Sequence, residues 1–572
     1  MGQKKTGPSL GRRNFLRGGA AAAAGAGATA LVGLSVDQAE PQAQAPRWHR
    51  EADIVVVGSG AAGLPAAIRA RDRGVSVVVI EENFDVGGHG MISQGSIALG
   101  GGTAMQKKWG VEDSADLVYL EGTRPDHVHT RYADREVVRA FADHNVEAYD
   151  FLIANGVEFV DARPHIVPAE GAVTLRRVTT RPWSENLKET INGTAGSGLM
   201  RALEKSARAK GVEILLEHQM TKIIRQSPTA GRVLGVAVKN LKTGQTLNVR
   251  ARRALIACTG GSSSNLVIRR IYNPLLTDEY QVGCEPYTRQ SGDAEQLGMA
   301  IGATLGATNN MRTESYLALV KPQWLGCRYG YDRWKPGSPV FEKAGASGIA
   351  VADYQDLIMV NMLGHRFHNE VGAVQLFGKD GKSDPIFDYL AAAVSSAVAV
   401  IDGKKHRVGG PIWAIFDAAA VEREKWDPRP PFVDTKNGYF FSADTLADLA
   451  GKLKSNPHQK MPMPPATLEE TVTRYNTFVD TGKDPDYGKP APQYKIQTPP
   501  FYAAWATPIL HDTYAGLRVN AKFQVLDVFG QIIPGFYCAG ESAGGFALHG
   551  LGRCIAGGYI AATNAVQEPR ST

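Results

Sequence analysis

Between Ala52 and Glu82 the order of apolar and polar positions changes period twice. Ile54 to Val57 is a short continuous apolar run, and Gly58-Ser59-Gly60-Ala61-Ala62-Gly63 interrupts it. A stretch of small residues follows, and Val75 to Ile80 is a second apolar run ending at Glu81 and Glu82. Apolar runs bounded by turn residues read as buried strands, so the pattern predicts strand, glycine-rich turn, helix, strand. The glycine spacing has a steric logic: Gly58 allows the tight turn, Gly60 lets backbone amides approach a pyrophosphate, and Gly63 lets the helix lie close to the strand. The helix start, at Ala61, Ala62 and Gly63, offers unpaired N–H groups and the positive end of a dipole to phosphates. Glu81, with Glu82 beside it, stands where a ribose hydroxyl needs an acceptor. The segment is expected to bind a dinucleotide.

The pattern after Glu82 is less regular. Gly87-Gly88-His89-Gly90 and the glycines at 95, 100, 101 and 102 follow the second strand directly, as expected where backbone passes close to a large flat ligand. Residues 112 to 160 repeat with helical period, and Gly198 to Arg208 reads as a helix. Short strands are expected at Val212 to Leu216, Met220 to Arg225, Val233 to Lys239, Thr246 to Val249 and Arg253 to Ala257, closing on Thr259-Gly260-Gly261. Gly292-Asp293 opens another helix. From about Met311 to Trp505 the texture changes to Trp, Pro and Tyr among irregular segments, with helical patches at Ile386 to Val400 and Leu468 to Phe478. The strand-and-glycine pattern resumes with Ile533 to Glu541 and a glycine-rich helix from Gly550 to Val566, which contains Ile555. The chain therefore returns to its first domain, with Tyr537 to Glu541 adding a strand that carries Glu541 at its C-terminal end.

At 572 residues the chain has room for two to four domains. A net charge of +6, with Lys and Arg scattered outside the N-terminus, shows no nucleic-acid stripe. Five cysteines, widely spaced and without a C-x-x-C, support neither a zinc site, an iron–sulfur cluster nor a C-x-x-C-H haem attachment, and no metal is expected. Cys258 and Cys538, at the ends of apolar runs, read as core. The first 45 residues are different material: Arg12-Arg13-Asn14-Phe15-Leu16, then a run of Ala and Gly too short and weakly apolar to span a bilayer, then Ala43-Gln44-Ala45. This resembles a twin-arginine export signal and places the protein outside the cytoplasm, in the periplasm or its equivalent.

Taken together, the motifs resemble one family, the FAD-dependent fumarate reductases, urocanate reductases and 3-ketosteroid dehydrogenases. The matches are GSGAAG (58 to 63), GG (87 to 88), TGG (259 to 261), GD (292 to 293), GHRFHNE (364 to 370), PFYA (500 to 503), AGL (515 to 517) and IPGFYCAGESAGG (533 to 545). The resemblance implies an α/β protein with FAD as cofactor and a Rossmann-like FAD-binding domain in two chain segments, 50–312 and 506–572. An inserted α+β capping domain, 313–505, would close over the flavin. It implies cofactor contacts at Gly58, Gly60, Ala61, Ala62, Gly63, Glu81, Glu82, Gly87, Gly88, His89, Ser93, Gly95, Met220, Thr259, Gly260, Asp293, Gly540, Glu541 and Ile555. Members add or remove hydrogen across a C–C bond beside a carbonyl or carboxylate, which needs a hydride carrier, a proton donor and fixed donors for the developing negative charge.

His511, in His511-Asp512-Thr513 where fumarate reductases carry His-His-Thr, is a candidate contact for a substrate oxygen; Asp512 departs from that pattern. Arg553, in His549-Gly550-Leu551-Gly552-Arg553, matches a carboxylate-binding arginine. Tyr502, in PFYA, matches a tyrosine that ketosteroid dehydrogenases set on the substrate carbonyl. The arginine that delivers the proton in fumarate reductases is missing: Val371-Gly372-Ala373-Val374 follows Asn369-Glu370. That argues against fumarate and leaves Tyr316, Tyr119 and Tyr502 as candidate acids. His89 falls in register with the histidine that carries covalent FAD in membrane-bound relatives; here it either forms that bond or hydrogen-bonds the flavin or its phosphate. With no haem motif, a separate cytochrome or quinone-linked carrier is expected to exchange electrons.

Overall fold

The apolar run at Ile54 to Val57 lies in the middle of the largest sheet. In the computed structural model the described residues are 46–126, 130–166, 173–183, 194–274, 276–306, 311–313, 324–330, 334–371, 395–507, 509–546 and 548–571, and all that follows concerns the unit Trp48–Thr572. The sheet comprises β1 (Arg50–Val57), β2 (Val77–Ile80), β3 (Glu213–Leu215), β4 (His218–Arg225), β5 (Val233–Asn240), β6 (Thr246–Ala257), β7 (Gln524–Leu526) and β8 (Ile532–Cys538). Its main path runs β7-β8-β6-β1-β2-β3, and every pairing on it is parallel except β7 with β8. Val55 faces Val78 on one side and Leu255 on the other. A strand flanked on both edges and covered on both faces is largely apolar, and β1 is buried from Ala52 to Val57, with Asp53 held by Ser76 and Arg570.

Two strands expected at 246–249 and 253–257 are one. The first half of β6 pairs with β5 in an antiparallel meander, while its second half pairs with β1 and β8, so a single long strand serves both. The last strand, β8, comes from the far end of the chain, which makes the FAD-type sheet a product of both termini of the unit. The α/β class and parallel core expected from sequence are therefore present.

Helix α1 (Gly63–Asp72) and helix α3 (Leu551–Ala565) are packed against each other over the sheet, with α2 (Ala195–Ala209) nearby. Close approach needs small residues. A Cβ on Gly63 would stand 1.8 Å from the Gly58 carbonyl oxygen, and one on Gly558 would stand 2.1 Å from the Ala62 carbonyl oxygen. Gly63 thus has the helix-to-strand role that its spacing predicted.

A second sheet, antiparallel, has the order Ile358–Val360, Trp413–Asp417, Phe501–Trp505, Phe440–Ala443. One apolar cluster includes Phe416, Phe440 and Tyr502; another includes Trp413, Trp505 and the inner side of the helix Pro465–Thr481. Of the patch expected as helix at 386–400, residues 386–394 lie outside the described residues, and Val398–Ile401 is a strand paired with Lys404–Arg407. The Asp402-Gly403 turn, with positive φ at both residues, selects the hairpin over the helix. The signal-type segment, residues 1–45, also lies outside the described residues. Among the described residues no helix is long and apolar enough to cross a membrane.

The GHRFHNE segment holds this second region together through buried charge. Arg366 donates from Nε and Nη2 to Glu370 (3.0 and 2.8 Å) and from Nη2 to Asp484 (3.0 Å). Lys489, also buried, donates to the Tyr354 and Leu357 carbonyls, each at 2.8 Å, and stands 3.5 Å from Glu370. Burial alone would raise the Glu370 carboxyl, but Lys489 and Arg366 outweigh it and bring it down to about 2. Burial pushes the neighbouring His368 down to about 4. Replacing Glu370 by Ala leaves buried cations uncompensated and should lower the unfolding free energy by about 3–5 kcal/mol in denaturant titration. Both shifted groups bind protons more readily when unfolded, so stability falls with pH, first from the ordinary histidine value of 6.5 towards 4 through His368 and then from 4.5 towards 2 through Glu370. His368→Gln should reduce the slope in the first interval, to which His458, also pushed down to about 4 by burial, contributes as well; an unchanged slope there would contradict the assignment.

Candidate active site

The turn after β1 is held by a carboxylate. Glu81, at the end of β2, accepts from the Ser59 N–H (2.8 Å) and Ser59 hydroxyl (2.6 Å) on one oxygen and from the Asn83 N–H (2.8 Å) on the other. Gly58 can turn here only as glycine: its φ is +96°, and a Cβ would stand 2.1 Å from the Cys258 carbonyl oxygen. Gly60 differs, since its Cβ position is open, 3.7 Å from the nearest atom, the Gly87 carbonyl oxygen. It borders a cavity of about 590 Å³, a size suited to a cofactor site.

The cavity runs along the carboxyl ends of the parallel strands, as the rule for open α/β sheets requires. One end is lined by Glu82, His218, Met220, Leu241, Arg289 and Asp293. Burial, followed by the Asp293 charge, pushes the Glu82 carboxyl up to about 7, and burial raises Asp293. The middle is lined by Gly58, Gly60, Ala61, Ala62, Gly88, Thr259, Gly260 and Gly540. These surfaces of bare backbone and small side chains leave room for a pyrophosphate and a flat ring, which fits FAD.

The other end is polar and titratable. His89, on the short helix Gly88–Ile92, stands edge-on to His511 with ring centres 4.9 Å apart, and its Nδ1 lies 3.4 Å from Gln290 Nε2. His511 Nδ1 lies 3.2 Å from His549 Nε2, and that same Nε2 lies 3.3 Å from the Asp512 carboxylate. Gln290 Nε2 also donates to Glu541 at 2.6 Å. The strand Ile509–Thr513 delivers His511 and Asp512, the turn after β8 delivers Glu541, and the loop before α3 delivers His549. Arg177 closes this end, its guanidinium 3.3 Å from the Ser96 carbonyl and 3.2 Å from the His549 carbonyl.

The expected residues divide. Gly58, Gly60, Ala61, Ala62, Glu81, Glu82, Gly88, His89, Ser93, Met220, Thr259, Gly260, Asp293, Gly540, Glu541 and His511 border the cavity. Gly63, Gly87, Gly95 and Ile555 do not. Gly63 serves helix packing, and Gly95 is pressed against Thr180 and Ala195. Ile555 follows Cys554, which does border the cavity, and the 100° step per residue of a helix turns it into the core, where it is fully buried.

Three catalytic candidates are corrected by their positions. Tyr502 is stacked on Phe416 (ring centres 5.3 Å) and tilted against Phe440 (5.6 Å) in the second sheet, away from the cavity. Tyr119 lies under the Arg139 guanidinium on another helix, also away from it. Arg553 is buried and donates to the Phe546 and Thr513 carbonyls at 3.0 and 2.7 Å, not into the cavity. Tyr316 lies outside the described residues. Sequence reasoning missed Gln290 and Arg177, which carry no motif, and read His549 only as a marker for Arg553. All five cysteines are buried and free.

Because Gly60 offers the one open Cβ position in the turn, Gly60→Val should fill the pyrophosphate path without disturbing the fold. The variant should keep wild-type thermal stability in the absence of cofactor and bind FAD at least about tenfold more weakly, read by flavin fluorescence titration. Undiminished affinity would remove the turn from the site.

Comparison with known proteins gives the family. The acrylate reductase flavoprotein subunit of Shewanella woodyi is 27% identical over 563 residues, covering 95% of this chain and 94% of that one. The open conformation of a flavocytochrome c3 fumarate reductase has a similar fold, with TM-score 0.63 and 22% identity over 91% of this chain and 79% of that one. So has 3-ketosteroid Δ1-dehydrogenase from Sterolibacterium denitrificans, with TM-score 0.58 and 20% identity over 90% and 99%. The family model described as an FAD binding domain matches residues 53–553, nearly the whole of the folded unit, and the chain belongs to that family of FAD-dependent oxidoreductases.

Proposed function

We propose that this protein is an exported oxidoreductase that adds or removes hydrogen across a C–C bond activated by a neighbouring carbonyl or carboxylate, on an enone-like or ketosteroid-like substrate. The observation that carries the reading is the His511–His549 pair with Arg177 at one end of a dinucleotide-sized cavity. Adenine and ribose are assigned to the Glu82–Met220 end, the pyrophosphate to Gly60 and Gly88, and the isoalloxazine to the histidine end. Bound FAD supplies hydride exchange at N5. Arg177 holds the substrate oxygen on which negative charge develops. The second sheet region, about 313–505, acts as the cap over the site.

A dicarboxylate such as fumarate is the weaker substrate. Arg553, the expected carboxylate partner, is turned onto backbone carbonyls, and Val371 to Val374 offer no arginine after Asn369-Glu370. His89 is assigned a hydrogen-bonding role, since its ring already packs on His511 and its Nδ1 faces Gln290. Electrons come from, or go to, a separate cytochrome or quinone-linked carrier.

The substrate class is tested anaerobically with dithionite-reduced flavin and a panel of cinnamates, 3-ketosteroids, urocanate and fumarate. An aromatic enone or ketosteroid should reoxidise the flavin fastest and fumarate slowly; reoxidation by fumarate alone would overturn the reading. Arg177→Met should slow that step about 10²–10³-fold, the usual loss for one donor to a developing oxyanion. Acid precipitation should leave a colourless pellet, and a yellow one would show a covalent bond. Replacing Arg12 and Arg13 by Lys should retain the protein in the cytoplasm; continued export would exclude the twin-arginine route.

A further inference from the structure

The reaction just proposed needs a proton as well as a hydride; Tyr119 and Tyr502 do not line the cavity, and Tyr316 lies outside the described residues. Four titratable groups, His511, His549, Asp512 and Glu541, meet at its polar end. His511 Nδ1 and His549 Nε2 face each other at 3.2 Å, a separation that holds one proton between two ring nitrogens and not two. Asp512 touches the same place, 3.3 Å from His549 Nε2 and 3.7 Å from His511 Nδ1. Behind it burial, and then the Asp512 charge, raises the neighbouring Glu541 carboxyl. Neighbouring buried carboxyls repel when both are charged, which favours sharing one proton between them. Glu541 also accepts from Gln290, and the buried Arg553 guanidinium adds positive charge behind both acids. Other neighbours of the cluster include His89, whose ring lies against His511, Arg177 on the His549 carbonyl, and the buried Cys554, Cys284 and Glu295.

We propose that the His511–His549 pair is the proton donor of this enzyme, with Asp512 as the positioning residue that orients the pair and Glu541 as the acid that refills it. The proposal rests on the reading that the cavity reduces an activated double bond. In the reducing direction one carbon of the double bond receives the hydride. The π electron pair takes a proton from an imidazolium N–H at the neighbouring carbon, leaving a neutral imidazole. The shared carboxyl proton then passes through Asp512 to the pair, and solvent restores it. Dehydrogenation is the same sequence reversed, with the neutral pair as base. The acid pair has a physical reason to hold that proton at neutral pH: burial first, then the Asp512 charge, raises the Glu541 carboxyl. The aspartate that departs from the fumarate reductase pattern and the missing arginine donor are then two halves of one change.

The test uses the FAD-loaded enzyme and the variants His549→Gln, Asp512→Asn, Asp512→Glu and Glu541→Gln. Single-turnover reoxidation of reduced flavin by the best enone of the panel should fall about 10²–10⁴-fold in His549→Gln and Asp512→Asn, the usual range for a lost general acid. Flavin content and the spectral shift on substrate binding should stay as in wild type, and Asp512→Glu should recover part of the rate. A purely structural Asp512 would change flavin content or binding shift along with rate. Independently of turnover, the infrared spectrum at neutral pH should contain a protonated-carboxyl C=O band that vanishes in Glu541→Gln and moves in Asp512→Asn. Wild-type rates in His549→Gln and Asp512→Asn overturn the relay, as does the absence of that band. If no enone reoxidises wild-type flavin, the functional reading fails, and the infrared band still decides whether the acid pair holds its proton.

Discussion

Everything in the cofactor half of this molecule depends on the attachment of one turn to one carboxylate. Ser59 gives Glu81 both its N–H and its hydroxyl, and Glu81 returns a second oxygen to the Asn83 N–H. The attachment ties the end of β1 to the end of β2 just where a glycine-rich backbone would otherwise be loosest. Burial raises the Glu81 carboxyl, and the three donors that converge on it oppose that shift. With the turn fixed, Gly63 can seat α1 against Gly58 and Gly60 can remain bare on the cavity side. The same acid that sequence spacing assigns to a ribose therefore also organises the protein that would receive it.

The far end of the cavity follows a different rule. There the chain concentrates groups that exchange protons, drawn from three separate stretches: the strand at 509–513, the turn at 540–542 and the loop before α3. Backbone alone shapes the phosphate region, but at this end side chains must keep particular charge states in a site screened from water. The second sheet contributes rigidity through its buried Arg366, Lys489, Glu370 and Asp484, whose charges balance locally. That balance allows a charged motif, GHRFHNE, to sit in the interior.

How much of this was legible in the sequence depended on what carried each feature. The strand–turn–helix unit was readable because steric demands on glycine act over six residues, and the return of the chain to the first sheet was readable because β8 repeats an apolar run with a glycine and an acid after it. Tyr502 and Arg553 were misplaced for a common reason: a motif fixes the position of a backbone, while neighbours decide which way a side chain turns. Phe416 and Phe440 take the Tyr502 ring, and two carbonyls take the Arg553 guanidinium. Arg177 and Gln290 reach the site from segments without periodicity, and only the tertiary fold brings them there. The hairpin at 398–407 went unread because two residues, Asp402 and Gly403, outweighed an apolar stretch with helical spacing.

The central claim is the direction in which FAD lies along the cavity. A crystal structure of the loaded enzyme tests it most directly. The account predicts adenine beside Met220 and Leu241, the pyrophosphate over Gly60 and Gly88, and the isoalloxazine beside His511 and His549. Flavin density at the opposite end, or outside the cavity, would contradict it.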